Sequence, residues 1–448
     1  MSYISLSDSD KKEMLARCGV ASVDGLFGCI PDGVRLGREL DLPAAMTEPE
    51  LVRHFESVAA RSTYGRYLSF LGGGVYHHVI PAIVEALSSR GEFLTPYTPY
   101  QPEVSQGTLQ IIFEYQTLIC QLTGMDISNA SLYDGASAAA EAVLMAQRLN
   151  NRPRVLVARS LHPQYRETID TYVRNLGLAV DEVGFGDRGG LRSAELAAKL
   201  GPDVCGVIVQ SPNFFGVVEE VEKIAALALG HKALTIVAVA EGLSLGILQA
   251  PGKLGADIVC GEGQSFGLAP AFGGPYLGFM GCGKDYLRQL PGRIAGLTKD
   301  VDGKRGFVLT LSTREQHIRR EKATSNICTN QAWCALRATI FLETLGQKGL
   351  REMALQNMHK TRYARERLTR IPGVKARFSG PVFNEFVIDV PGDAAAVADG
   401  LKAKGILGGL ALGAFDPEWK NGLLVCVTEV QTRDTIDRLA GALEEVLR

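Results

Sequence analysis

Residues 205–210 have the sequence CGVIVQ, and residues 234–240 have the sequence LTIVAVA. Both runs are rich in β-branched and apolar residues, and neither alternates between apolar and polar positions. A strand that is apolar on both faces is typical of a parallel sheet that is covered by helices on each side. These two stretches therefore predict an α/β fold with a mostly parallel sheet.

Similar short runs occur at 154–158, 257–261 and 276–280, and helical segments separate them. The alternation predicts a large α/β domain over residues 61–325, whose ligands would bind at the carboxyl ends of the strands. A long helix is expected at 107–123, because its apolar residues recur at helical spacing. Gly124 is the predicted end of that helix.

The N-terminal residues 1–60 are predicted to form a mainly helical arm that packs on a larger body. Thr47 is the expected N-cap of one helix, in which Leu51, Phe55 and Val58 share a face.

The C-terminal residues 326–448 are predicted to form a small α+β domain. Its expected elements are helices at 330–345, 350–369 and 432–447 and strands at 385–390 and 423–427.

Composition limits the function. The 448 residues carry a formal net charge of -2, which argues against binding to nucleic acid or to an anionic membrane as the main task. The sequence has no basic run leading into an apolar stretch at its start and no uncharged window of transmembrane length. We therefore expect a cytoplasmic protein.

The cysteines are predicted to be reduced core residues, since the nine of them include no CxxC pair and lie mostly in apolar runs. Cys328 and Cys334 are the pair that merits attention as a redox or metal site. A structural role is favoured for them, because no His or carboxylate lies beside them at ligand spacing.

Four segments are distinctive. They are FLGGGVYHH at 70–78, YTPYQPEVSQG at 97–107, NASLYDGA at 129–136 and REQHIRREKATSNIC at 314–328. Together they closely resemble the P-protein of the glycine cleavage system, the decarboxylating glycine dehydrogenase. The resemblance extends over nearly the whole sequence. The chain length matches the N-terminal, or alpha, subunit of organisms that divide this enzyme into two chains.

The resemblance implies a fold of type I of the pyridoxal-phosphate-dependent transferases, similar to aspartate aminotransferase. In the family, glycine loses CO2 on pyridoxal phosphate, and its aminomethyl group passes to the lipoyl arm of the H-protein. The T- and L-proteins complete the system. The implied partner is a beta subunit that holds the cofactor, in heterodimers that pair again.

Gln264, within GEGQSFG at 261–267, occupies the place of the lysine that binds the cofactor in such enzymes. An amide cannot form a Schiff base. The resemblance therefore implies that this chain holds no covalent cofactor and that the lysine, within a His-Lys-Thr-Phe run, belongs to the beta subunit.

The rest of the cofactor cradle also departs from the family pattern. Glu241 stands where an Asp usually pairs with the pyridinium nitrogen, and residues 135–137 have the shape of a phosphate-binding helix start. We interpret both as relics, because Asp134 would repel a phosphate and loss of the lysine removes the need for a cradle.

The resemblance suggests catalytic contributions to the partner's site from a loop that is interrupted by prolines, which restrict its backbone. The candidates are Tyr97, Tyr100, Gln101 and Glu103. The tyrosine hydroxyls would orient substrate or cofactor groups. A purely packing role for the aromatic rings at a subunit interface stays open.

Other candidates have a structural alternative. His77, Ser105 and Gln106 are candidate lining residues, although a structural, hydrogen-bonded role is at least as favoured for His77. His162 occupies the place where related enzymes stack a ring over the cofactor, and a structural role is favoured for it. The cationic segment 314–322 is expected to be a solvated helix face, with contact to a partner carboxylate, to phosphate or to the H-protein as the alternative.

Two other functions are alternatives. A noncatalytic scaffold or regulatory paralogue would stabilise the beta subunit without placing any residue near the chemistry. An independent pyridoxal enzyme would need another lysine, such as Lys253 or Lys284, and both lie away from the expected end of a strand.

Overall fold

The computed structural model describes residues 5–94, 97–328 and 330–448. The chain divides into two compact units, Met1–Tyr64 and Gly65–Arg448.

The first unit contains helices α1 (Asp8–Arg17) and α2 (Glu48–Ala59). Thr47 lies at the N-cap of α2, and Glu50 accepts hydrogen bonds from its backbone N–H at 2.8 Å and from its hydroxyl at 2.7 Å. This is a capping box, in which the side chain of the third helical residue reaches back to the cap. The predicted N-cap is confirmed.

The second unit contains the strands of the protein. They are β1 (Leu68–Ser69), β2 (Ile127–Ser128), β3 (Arg154–Ala158), β4 (Ala179–Val183), β5 (Val204–Gln210), β6 (Leu234–Val239), β7 (Ile258–Glu262), β8 (Gly278–Cys282), β9 (Ile294–Lys299), β10 (Arg305–Thr310), β11 (Lys375–Ala376), β12 (Glu385–Asp389), β13 (Ile406–Leu407), β14 (Leu410–Ala411) and β15 (Gly422–Cys426).

The helices of this unit cover the strands. They are α3 (Ala82–Ser88), α4 (Gly91–Leu94), α5 (Gln106–Thr123), α6 (Gly135–Asn150), α7 (Pro163–Val173), α8 (Ser193–Lys199), α9 (Val221–Gly230), α10 (Gln316–Arg319), α11 (Ala332–Leu368), α12 (Ala394–Ala403) and α13 (Arg433–Val446).

The main sheet has the order β2-β8-β7-β6-β5-β3-β4. Strands β4, β3, β5, β6 and β7 are parallel, whereas β8 is antiparallel to β7 and β2 is antiparallel to β8. The predicted mostly parallel sheet is confirmed. Composition could not indicate the reversal at β8, because that strand is also buried on both faces.

Helices on both faces explain why β6 is apolar at consecutive positions. Val237 and Val239 belong to a core cluster with residues of α5, α9 and α11. Ile236 and Ala238 belong to a second cluster, with residues of α6 and α7. Successive side chains of a strand point to opposite faces, so each face of β6 contributes to a different core.

The C-terminal region adds an antiparallel sheet of order β11-β12-β15-β14. Helix α11 is interrupted at Gly346, whose φ of 56° and ψ of -175° are not helical. The two helices predicted at 330–345 and 350–369 therefore lie on either side of this break. The predicted domain boundaries at residues 60 and 325 stay predictions.

The cysteines only partly fit their predicted place. All nine thiols are free, and Cys205, Cys260, Cys282, Cys334 and Cys426 are buried. Cys18, Cys29 and Cys328 are exposed, so the prediction of a core position is wrong for them. A short apolar run in a helical arm or a loop has the same sequence pattern as a core segment. The run is nevertheless exposed to solvent where no other element packs against it.

Among residues 5–94, 97–328 and 330–448, no helix is both long enough and apolar enough to cross a membrane.

Candidate functional site

Gln264 lies just beyond the carboxyl end of β7, where ligands bind in sheets of this kind. The residue is 1% exposed. Its Oε1 accepts the N–H of Tyr76 at 2.9 Å, and its Nε2 donates to the carbonyls of Tyr76 at 3.0 Å and Leu268 at 2.6 Å. Both polar ends of the amide are therefore bound to backbone, which fixes segment 70–78 against the end of the sheet.

Glu262, the last residue of β7, is buried beside the start of α6. Its carboxylate accepts the N–H of Gly135 at 2.9 Å, of Gln264 at 3.0 Å and of Leu277 at 2.9 Å. Burial raises the pKa of Glu262 to about 7, although these N–H groups act in the opposite direction.

The same helix start is capped by Asp134. Its Oδ1 accepts the N–H of Ser137 at 2.7 Å. The N-terminus of a helix attracts anions, because its first N–H groups have no partner within the helix. In this chain, the carboxylates of Glu262 and Asp134 accept two of these N–H groups, those of Gly135 and Ser137.

Glu385, the first residue of β12, is bound by the glycine-rich segment. Its carboxylate accepts the N–H of Gly73 at 2.6 Å and the hydroxyl of Tyr76 at 2.8 Å. Gly73 and Gly74 have φ values of 75° and 106°, which favour glycine. A Cβ on Gly72 would lie 2.2 Å from Glu385 Oε1. The glycines thus allow the backbone to approach a buried carboxylate, whose pKa burial raises to about 7.

His78 links two carboxylates behind this segment. Its Nε2 lies 3.1 Å from Glu241 Oε2, and its Nδ1 lies 2.9 Å from Glu429 Oε2. Burial alone would lower the pKa of His78, but the two carboxylates outweigh that effect and raise it to about 9. Glu241 also accepts the amide of Asn384 at 2.8 Å and the N–H of Leu243 at 2.9 Å. Its oxygens are therefore engaged within the chain.

His162 is packed among aromatic rings. Its ring centroid lies 4.9 Å from that of Phe214 and 5.3 Å from that of Tyr165. Its Nε2 is 2.8 Å from the carbonyl oxygen of Gly73, and burial lowers its pKa. A neutral imidazole that donates to this carbonyl satisfies the contacts, which supports the structural role favoured from the sequence.

Comparison with known proteins identifies the family. Residues 1–443 match the family described as Glycine cleavage system P-protein. The chain belongs to this P-protein family.

Relatives within the P-protein family span the same length. The chain is 51% identical over 449 residues to the probable glycine dehydrogenase (decarboxylating) subunit 1 of Moorella thermoacetica, with 100% of both chains covered. It is 48% identical over 447 residues to the protein of the same name from Desulfitobacterium hafniense, again with 100% of both covered.

Solved structures agree with this assignment. A crystal structure of glycine decarboxylase (P-protein) of the glycine cleavage system, in inhibitor-bound form, has a TM-score of 0.90 and 42% identity, covering 100% of both chains. Sphingosine-1-phosphate lyase from Burkholderia pseudomallei has a TM-score of 0.68 at 16% identity, over 93% of this chain and 94% of its own, and shares the fold alone. The predicted type I fold of the pyridoxal-phosphate enzymes is confirmed.

The described residues at the end of β7 do not fit pyridoxal phosphate in this P-protein chain. Gln264 supplies no amine, and its amide is already bound on both ends. A phosphate at the start of α6 would face the carboxylates of Glu262 and Asp134. Both oxygens of Glu241 already have partners within the chain, Oε1 in Leu243 and Oε2 in His78 and Asn384.

The loop that resembles the P-protein motif YTPYQPE faces outwards. Tyr97 is 86% exposed and Tyr100 is 53% exposed, and Gln101 and Glu103 are also exposed. These four side chains are therefore accessible to another molecule. The Tyr100 hydroxyl accepts a hydrogen bond from Arg293 Nη2 at 3.0 Å.

The candidate lining residues fall into two groups. Ser105 is buried at the N-cap of α5, and Gln106 binds both the N–H and the carbonyl of Phe307, at 2.8 and 2.9 Å. Gln106 thereby links the end of the loop at 97–103 to the β9–β10 hairpin by two hydrogen bonds. His77 lies in the other group, beside Thr428, whose hydroxyl donates to the His77 carbonyl at 2.6 Å.

Arg293 is a residue that sequence reasoning missed. Residues 290–297 have the sequence LPGRIAGL, in which Arg293 is the charged residue. An arginine within a mostly apolar stretch was the signal that could have identified it. The residue is 6% exposed, so it holds a charge inside the protein, where charges are usually paired or functional.

Proposed function

We propose that this chain is the non-lysine subunit of a cytoplasmic two-subunit glycine dehydrogenase (decarboxylating), the P-protein of a glycine cleavage system. The partner subunit holds pyridoxal phosphate, which supplies the electron sink for loss of CO2 from glycine. The aminomethyl group then passes to the lipoyl arm of the H-protein, and the T- and L-proteins act downstream. The two subunits assemble as heterodimers that pair again.

One observation supports the proposal that the partner subunit, and not this chain, holds the cofactor. Gln264 stands at the expected lysine position, is buried, and has both ends of its amide bound to backbone. Such a side chain has no nucleophilic amine and no freedom to reach a ligand. Because Glu262 and Asp134 also occupy the helix start, this chain is suited to shaping a neighbour's site rather than to holding the cofactor itself.

The chain's own contribution comes from the loop at 97–103. Tyr97, Tyr100, Gln101 and Glu103 orient substrate or cofactor groups of the partner's site and help to exclude water from it. Their exposure in this chain supports the assignment. Ser105 and Gln106 support the base of the loop, and His77 is proposed to line the partner's site.

Hydride fixation of the complex tests the cofactor assignment. The chain is assembled with its partner subunit and pyridoxal phosphate, reduced with borohydride, and each polypeptide is analysed by mass spectrometry. We expect a pyridoxyl group on the partner only. A pyridoxyl group on Lys253, Lys284 or any other lysine of this chain would contradict the proposal.

Substitutions in the loop separate this function from a noncatalytic scaffold, which the subunit names of the relatives do not favour. In the assembled complex, Tyr97→Phe and Gln101→Ala are expected to lower kcat about 10-fold or more, because small misplacements of a substrate cost much of the rate. Tyr363→Phe is the matched control, since the Tyr363 hydroxyl binds Asp437 on α13 at 2.8 Å. Wild-type rates for both loop variants in a complete complex would support the scaffold instead.

A further inference from the structure

Arg293 is the buried centre of a hydrogen-bond cluster just before β9. Its Nη2 donates to the Tyr100 hydroxyl at 3.0 Å and to the Cys328 carbonyl at 2.7 Å. Its Nη1 donates to Asn330 Oδ1 at 3.3 Å, and its Nε lies 3.5 Å from Glu315 Oε2. One guanidinium thus joins the loop at Tyr100, 193 residues away in sequence, to the segment 315–330.

An arginine is suited to this task, because its planar fork presents several N–H groups in fixed directions. A lysine offers three donors from a single point and cannot reach the same set of acceptors at once. The side chains of Arg293 and Glu315 are 8% and 10% exposed, so the charge is compensated inside the protein. The hydrogen bonds to Tyr100, Cys328 and Asn330 therefore all depend on the guanidinium.

Tyr100 is held by this cluster on one side and is open on the other. The Arg293 guanidinium lies 5.4 Å from the centroid of the Tyr100 ring, and the His317 ring lies 5.8 Å from it in an edge-to-face arrangement. The residue itself is 53% exposed. Contacts on its ring and its oxygen fix the direction in which the open side faces.

The open side of Tyr100 borders a cleft of about 520 Å³. The lining also includes His317, Arg320, Asn326 and Cys328. Since the Tyr100 oxygen accepts from Arg293, its own hydrogen is left to donate to a group in the cleft. Accepting one hydrogen bond also makes a hydroxyl a stronger donor.

The contacts of Arg314 correct one expectation for the neighbouring cationic segment. Its guanidinium donates to the carbonyls of Leu290 and Gly292, and burial lowers its pKa. Arg314 is therefore not on a solvated helix face. Its hydrogen bonds to Leu290 and Gly292 stabilise the turn that precedes Arg293.

We propose that Arg293 is the positioning residue that presents Tyr100 to the partner's active site. This inference rests on the proposed function, in which the loop at 97–103 completes that site. Arg293 does not touch the substrate. It acts by fixing the Tyr100 ring and by binding its oxygen, so that the hydroxyl hydrogen faces the cleft.

The test uses the complex of this chain with its partner subunit, pyridoxal phosphate and lipoylated H-protein, and it measures CO2 release from glycine. The variants are Arg293→Lys, Tyr100→Phe and the double variant. Arg154→Lys is the matched control, because Arg154 also binds two carboxylates and a carbonyl but lies at the amino end of β3, away from the site. Thermal unfolding and gel filtration report folding and assembly for each variant.

We expect Arg293→Lys and Tyr100→Phe each to lower kcat about 10-fold, with the KM for glycine changed less than about 3-fold. The double variant should fall no further than about the larger single loss, since both changes remove one arrangement. Arg154→Lys should keep the wild-type kcat. A wild-type kcat for Arg293→Lys, or losses that multiply in the double variant, would overturn the inference.

The outcomes distinguish this inference from the proposed function. If Tyr97→Phe and Gln101→Ala lower kcat while Arg293→Lys and Tyr100→Phe do not, the rest of the loop contributes to catalysis, and only the roles of Arg293 and of the Tyr100 hydroxyl fail. If every loop variant in an intact complex keeps the wild-type rate, both fail.

A second measurement covers the case in which Arg293→Lys does not assemble. Amide hydrogen exchange is followed on the full chain alone, for peptides that include residues 97–107. Exchange there should be about 10-fold faster in Arg293→Lys than in the wild type and unchanged in Arg154→Lys. Equal exchange in all three proteins would overturn the inference.

Discussion

Replacing Gln264 by lysine restores the residue type that binds pyridoxal phosphate in related folds, and the structure predicts that it does not restore the site. Lysine is one atom longer than glutamine and has no acceptor. Its ammonium can donate to the carbonyl of Tyr76 or of Leu268, but it cannot accept the N–H of Tyr76, which Gln264 binds at 2.9 Å.

The cost follows from these contacts. A buried N–H without a partner costs about 1–3 kcal/mol, and the loss of a further hydrogen bond costs about 1 kcal/mol. Burial of an ammonium at a position where the side chain meets backbone groups adds to this, and the pKa of the new lysine is expected to fall. We expect the free energy of unfolding of Gln264→Lys to drop by about 3–6 kcal/mol.

Urea unfolding at neutral pH measures this change. Gln264→Met removes the same hydrogen bonds without adding a charge and should be destabilised by a smaller amount. Gln121→Lys, at an exposed position of α5, should change stability by less than about 0.5 kcal/mol. A loss below about 1 kcal/mol for Gln264→Lys would refute the hydrogen-bond argument.

The same variant is then incubated with pyridoxal phosphate and reduced with borohydride. Because Glu262 and Asp134 occupy the start of α6, we expect no pyridoxyl group at residue 264. Detection of a pyridoxyl group on residue 264 by mass spectrometry would refute the conclusion that this chain's own side chains prevent pyridoxal phosphate from binding there.

Two further predictions concern stability. The folded-state pKa values of Glu262 and Glu385, about 7, lie above the ordinary 4.5, and that of His78, about 9, lies above 6.5. The protonated forms of these three side chains stabilise the folded protein. For Glu262 and Glu385 this stabilisation is complete below pH 4.5 and is lost as pH rises to about 7. For His78 it is complete below pH 6.5 and is lost as pH rises to about 9. The free energy of unfolding should therefore fall from pH 5 to pH 9, and urea titrations that show a rise would contradict this. Gly72→Ala should destabilise by about 1–3 kcal/mol, since its Cβ would lie 2.2 Å from Glu385 Oε1. Gly441→Ala, in α13 with no atom within 4 Å of its Cβ, should be neutral or slightly stabilising. Thermal unfolding of both glycine variants measures the difference.

Much of the fold could be predicted because local patterns record burial directly. Runs of apolar residues marked β5 and β6, and Gly124 marked the end of α5 with a φ of 73°. The edge strand Ala179–Val183 was missed, because its sequence AVDEV carries two acids and lacks the apolar pattern of its neighbours. Edge strands are covered less completely, so their composition is a weaker signal.

Much of the candidate site could not be predicted from the sequence. The replacement of lysine at Gln264 was visible, but two of the amide's three hydrogen bonds are made with Tyr76, 188 residues away. Arg293 and Tyr100 are 193 residues apart in the chain and 3.0 Å apart in the structure.

The sequence by itself determined the family, the central parallel strands and the absence of an amine at the expected position, because each depends on residue identity or on short-range periodicity. The tertiary structure decided that Glu262 and Asp134 fill the start of α6, that His78 joins Glu241 to Glu429, and that Arg293 holds Tyr100. The physical reason is that these contacts join side chains or backbone groups from separate strand ends and loops. Packing of the sheet and its helices, rather than spacing along the chain, sets their distances.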